Sequence, residues 1–159
     1  MTLIRRNEMW KSIQLITLFA GLIICCVGCA PSTFVKGRSG GWKTIELNDS
    51  LVGQYQEAWQ KTVDTVARDY DIEMLDKDSG YLRTTWTYGI SGGTFNRYRG
   101  RLTIKYTNIE NPDKIEVKTD AQWLIDTSSG VWQQGFDSLL DRDVFTALSG
   151  RLGRTVAPE

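Results

Sequence analysis

The side chains on which chemistry could rest form four groups. Cysteines stand at 25, 26 and 29, and carboxylates gather at Asp137, Asp141 and Asp143. Arg97, Arg99, Arg101 and Lys105 recur at odd positions, and Gly89-Ile90-Ser91-Gly92-Gly93 is a loop of small residues. The 159 residues include no histidine, which removes the commonest general base and metal ligand at neutral pH. No G-x-x-x-x-G-K phosphate loop and no complete Cys/His zinc set occurs. Hydrolase, kinase and zinc-enzyme chemistries lose their usual parts. The expectation is a non-enzymatic chain with no metal and no cofactor.

Each group also has a plain structural reading. Asp137, Asp141 and Asp143 would suit an acidic catalytic or cation site. They equally suit the start of a helix, where carboxylates cap free amides and face the positive end of the dipole. The stripe Arg97, Arg99, Arg101 and Lys105 is a candidate surface for an anion or a partner. It is equally a solvated strand face answered by the acids of 116–120. The 89–93 loop has no phosphate-binding lysine and reads as a hairpin tip. Trp59, Trp86, Trp123 and Trp132 read mostly as core.

The cysteines are explained by their surroundings. Arg5, Arg6 and Lys11 precede an apolar run from Ile13 to Val27, and no charge occurs between Lys11 and Lys36. A basic segment, a short apolar core and a small-residue exit describe a secretory signal. The run is shorter than the roughly 20 residues that a spanning helix needs. Val27-Gly28-Cys29 resembles the lipobox of bacterial lipoproteins, with Cys26 where that motif usually carries Leu. In that family the thiol takes a diacylglyceryl group, cleavage leaves the cysteine as the first residue, and acyl chains such as palmitate complete the anchor. The resemblance implies a signal peptide over 1–28, lipidation at Cys29, and a covalent lipid in place of any cofactor. Ala30, rather than Asp, after the cysteine implies delivery to the periplasmic face of the outer membrane, with the inner membrane as the alternative. The folded part then keeps no free thiol and no disulfide.

Three of 19 basic and one of 19 acidic residues precede Cys29, so the remainder keeps 16 against 18, a net of −2. That balance argues against nucleic acid as a partner, which favours a basic face. No polybasic run adds electrostatic attachment to a membrane. The partners expected are the membrane, through the lipid, and a protein of the envelope.

Residues 29–41 read as the lipidated cysteine and a flexible tether, given Pro31, Ser32, Gly37, Ser39, Gly40 and Gly41. One domain is expected over 42–153, with a frayed tail at 154–159. Trp42 to Leu47 alternates as a strand. Asn48-Asp49-Ser50 offers cap chemistry before Val52, Tyr55, Trp59, Val63, Val66 and Tyr70, spaced as one face of a helix. Strands are expected at 72–75, 81–88, 95–106 and 114–125, with 131–136 ambiguous and a second helix from Asp137 or Asp141 to Leu152. The expected fold is α+β in two layers: an antiparallel sheet of about five strands against two helices.

Ala58-Trp59, Val63, Gly80-Tyr81-Leu82-Arg83-Thr84, the 95–125 hairpin and the last helix with Leu139-Leu140 and Leu148 resemble the helix-grip domains of envelope lipoproteins, such as the C component of the outer-membrane β-barrel assembly machinery. The resemblance implies a non-catalytic accessory protein that docks on a larger complex in envelope biogenesis. The alternative is a small-molecule or lipid carrier using a cleft between the long helix and the sheet.

Overall fold

Apolar side chains spaced three and four apart wind into helix α1, Tyr55–Val66, which buries Ala58, Trp59, Thr62, Thr65 and Val66. The Asn48–Ser50 stretch, expected as its cap, closes turns upstream instead. The Leu51 and Val52 amides donate to the Asn48 carbonyl, and Ser50 Oγ donates to Asn48 Oδ1 at 2.6 Å. Helix α2, Ser138–Leu152, is capped by Asp137 and buries Leu140, Val144, Leu148 and Leu152 at four-residue spacing. The computed structural model describes residues 32–88, 97–126 and 128–154, the side chain of Asp126 excepted. The signal segment 1–28, Cys29 and residues 155–159 of the tail lie outside the described residues.

Eight strands accompany the helices: β1 (Phe34–Lys36), β2 (Lys43–Glu46), β3 (Ile72–Asp76), β4 (Tyr81–Thr84), β5 (Thr87–Tyr88), β6 (Tyr98–Tyr106), β7 (Lys114–Asp126) and β8 (Val131–Asp137). All pair antiparallel in one sheet, ordered β1-β8-β7-β6-β4-β3. β2 adds to the first part of β7, and β5 adds to β6.

The expected two-layer fold with about five strands is therefore overturned: mostly strand, the described chain carries eight strands in one large antiparallel sheet, with two helices. Three strands account for the difference. β1 falls inside the stretch that composition marks as tether, yet Phe34 is buried and pairs with Asp137 of β8. β8 lacks clean alternation because Gly135 occupies a buried position. The Phe34 ring packs directly on Gly135, where any Cβ would collide with it. The single strand expected over 81–88 is two strands, because the ladder breaks at Thr84. There the Thr84 hydroxyl accepts the Leu102 amide at 3.0 Å, and the Thr85 amide turns away to the Asp71 carbonyl at 2.8 Å.

Alternation along the long strands sorts their side chains onto two faces. Leu82, Leu102, Ile104, Tyr106, Ile115 and Val117 join Ala58, Trp59 and Val66 of α1 and Leu140, Val144, Leu148 and Leu152 of α2 in one core. The Tyr106 hydroxyl meets Thr62 Oγ1 at 2.8 Å inside it, and burial pushes the phenol up to about 12. Arg99, Arg101, Thr103 and Lys105 of β6, with Glu116, Lys118, Asp120 and Gln122 of β7, form the other face, away from the helices.

Candidate functional site

The face away from the helices carries an arginine–aromatic ladder that a one-residue slip creates. β4 meets β6 with Tyr81 opposite Lys105 and Arg83 opposite Thr103. β5 meets the same strand with Thr87 opposite Gly100 and Tyr88 opposite Arg99. The two registers differ by one residue, so the side chains beyond the break exchange faces. Trp86, which the sequence marks as core, and Tyr88 stand with the arginines instead.

Arg99 is the centre of this ladder. Its guanidinium lies 3.8 Å from the Trp132 ring centroid and 4.9 Å from that of Trp86. Nε and Nη2 donate to Gln122 Oε1 at 2.9 and 2.6 Å, and Nη1 donates to the Tyr88 hydroxyl at 3.3 Å. Gln122 in turn donates to Gln134 Oε1 of β8 at 2.9 Å. Arg101 lies 4.5 Å from the Trp86 ring, and Tyr88 meets Trp132 edge-on at 6.0 Å. Stacked cations of this kind contribute about 0.5–1 kcal/mol when exposed and about 2 kcal/mol when desolvated.

The expected stripe is thus divided. Arg99 and Arg101 stand together. Arg97 turns to Trp123, 5.8 Å from its ring, and Lys105 is exposed opposite Glu116. Acids answer part of the charge from within the sheet: buried Asp120 takes Arg101 at 3.5 Å and Lys118 at 3.3 Å. Ser39 Oγ adds a hydrogen bond to Asp120 at 3.4 Å. Trp86, Tyr88, Trp132, Gln122 and Gln134 were not legible as site residues, because the slip that brings Trp86 and Tyr88 there, and the pairing of β7 with β8 that brings the other three, are tertiary features. Trp59 and Trp123 are core.

The three aspartates do not converge. Asp137 caps α2, accepting from the amides of Leu139 at 2.9 Å and Leu140 at 3.3 Å. Burial pushes its carboxyl up, but hydrogen bonds from the Tyr98 and Thr33 hydroxyls and from the two amides outweigh this and hold it below the usual range. Asp141 is buried, accepts from Thr119 Oγ1 at 3.0 Å and pairs with Lys43. Asp143 is exposed and pairs with its neighbour Arg142 at 3.1 Å. Among the described residues no group of three Asp, Glu, Cys or His side chains stands ready for a metal ion.

Gly37-Arg38-Ser39-Gly40-Gly41 and Gly89-Ile90-Ser91-Gly92-Gly93 both have the spacing of a serine-nucleophile elbow. The first joins β1 to β2 and is no strand-to-helix turn, and its serine is tied to Asp120. The second, like the hairpin tip expected there, lies outside the described residues, as does Cys29.

A concavity opens between the helices. It measures about 340 Å³, with Val66, Leu102, Leu140, Val144 and Leu148 as its apolar lining and Asp69, Tyr70, Asp143 and Arg151 among its polar residues. Burial, then Asp69 and Asp143, push the Tyr70 phenol up. Among the described residues no helix is long and apolar enough to cross a membrane. No protein-family model and no curated protein matches the chain.

Proposed function

We propose that this chain is a non-enzymatic, lipid-anchored accessory lipoprotein, held through Cys29 at the periplasmic face of the outer membrane, and that it binds a protein partner of the envelope. The lipobox-like Val27-Gly28-Cys29 supports the anchor. The observation that carries the binding half is the ladder of Trp86, Arg99, Trp132 and Tyr88 on the sheet face away from the helices. Tryptophan, tyrosine and arginine are the types in which interface binding energy concentrates. Here they are held stiff by mutual stacking, which lowers the entropy lost when a partner docks. Tyr88 is 49 % exposed at the end of the ladder.

Fractionation with labelled palmitate tests the anchor. Wild type should incorporate label and sediment with membranes, and Cys29→Ser should do neither. Retention of Cys29→Ser in membranes to the same degree would remove the anchor from the account. Affinity capture after crosslinking in intact membranes tests the partner. One protein should recur with wild type and be lost with Trp132→Ala; recovery of the lipoprotein alone in every repeat would refute the binding half.

The cleft between α1 and α2 favours a second reading, carriage of a small apolar ligand. Its size lies at the low end of ligand sites, and its floor is apolar. Native mass spectrometry of protein taken gently from membranes should then show a retained mass of a few hundred daltons. A bare chain mass would dismiss this reading.

A further inference from the structure

We propose that the β1 edge of the sheet rests on the anionic bilayer surface, making a second, orienting contact beside the lipid on Cys29. The idea deepens the anchored reading above and depends on it. β1 begins at Phe34, so only Ala30 to Thr33 separate it from Cys29. Five Cα steps reach at most about 18 Å at roughly 3.6 Å each. The interfacial layer of one leaflet alone occupies about 5–7 Å. A lipid on Cys29 therefore keeps β1 within roughly 11–13 Å of the headgroup layer, much closer than a tether running to residue 41 would.

From Pro31 to Ile45 the charged residues are Lys36, Arg38 and Lys43, with no acid among them. Lys43 is paired with Asp141. Lys36 and Arg38 are exposed. The edge has no basic run; what marks it is the absence of acids. At the opposite end of the strand order lies β3, where Asp69 to Asp78 hold five acids and one lysine. Charge is segregated between the two ends of one sheet, and the field of an anionic leaflet turns the basic end toward it and the acidic end away.

Val35 of β1 is 43 % exposed, and Trp42, just before β2 on the same side of β7 as β8 and β1, is 47 % exposed. Tryptophan suits the headgroup layer, where its ring is half apolar and half wet. The connection between β1 and β2 that carries Arg38 and Trp42 is fixed to the sheet. Ser39 Oγ reaches Asp120, and Gly40 packs on the Thr119 carbonyl and the Phe136 ring so closely that a Cβ has no room. Acyl chains supply retention, so these groups set orientation.

Cysteine labels test this in the full chain, since no cysteine follows Cys29. Gly41→Cys places a polarity-sensitive dye on the basic edge, where a Cβ meets open space. Asp78→Cys places it at the acidic end. Both proteins are reconstituted in phosphatidylcholine vesicles with or without phosphatidylglycerol and a headgroup-located quencher. The label at 41 should be quenched when phosphatidylglycerol is present, and the label at 78 should not. Lys36→Glu with Arg38→Glu should lower the resting-to-lifted ratio by at least roughly 25-fold, about fivefold for each positive charge removed before the repulsion of the two new acids is added, and high salt should act in the same direction. Equal quenching at 41 and 78, or quenching at 41 that ignores charge reversal and salt, overturns the inference while leaving the anchor standing. Failure of the protein to acquire lipid and enter vesicles at all overturns both.

Discussion

The Arg99 guanidinium stacks 3.8 Å from the Trp132 ring while giving two N–H groups to Gln122, on the strand between them. One side chain thereby ties β6, β7 and β8 together on the face away from the helices.

A stacked, forked guanidinium is not replaceable by a point charge. Arg99→Lys is therefore expected to lose most of what Arg99→Ala loses, about 1–2 kcal/mol of stability. Urea unfolding at neutral pH checks it. A lysine variant as stable as wild type would show that charge alone, rather than planar stacking, matters at this position.

Asp141 and Asp143 sit two residues apart and should behave differently. Asp141→Ala strands the buried Thr119 hydroxyl and releases Lys43, for an expected loss of about 1–3 kcal/mol. Asp143→Ala is expected to stay within about 0.5 kcal/mol, since the residue is exposed and its ion pair is with its exposed neighbour Arg142. Thermal unfolding of both variants decides this. Equal losses would mean that the acids act as one site.

The acid limb of stability should carry the signature of Asp137. Its folded carboxyl lies below the ordinary value, so the native state binds fewer protons than the unfolded chain. The stabilisation is fully present above the unfolded pKa of about 3.9 and is lost as pH falls through the depressed folded value. Asp137→Asn keeps a good cap but removes the titration. Its urea midpoint should fall less steeply than that of wild type below about pH 4. Parallel acid limbs would mean that other carboxylates govern the transition.

What was legible in the sequence was the part governed by local periodicity. The helical spacing from Val52 to Tyr70 and the alternation of Lys114 to Ile125 record which side faces the core; the helix forms over the middle of the first pattern, Tyr55–Val66, and the strand over the second. The strand count was not legible, because the missing strands depend on distant partners. β1 exists through pairing with β8, about a hundred residues on, and Gly135 is explained only by the Phe34 ring lying on it. Trp86 illustrates the same limit for the site. Simple alternation from Leu82 puts it in the core, and one residue of slip at Thr84–Thr87 moves it beside Arg99 and Arg101.

The claim that this face receives a protein partner is tested most directly by photocrosslinking from Tyr88 in living cells. An unnatural crosslinking residue at Tyr88 should yield one recurrent adduct, and Arg99→Ala in the same chain should abolish it. The same residue at Lys61, exposed on α1, should yield none. No adduct from Tyr88, or the same adduct from both positions with no response to Arg99→Ala, would contradict the account.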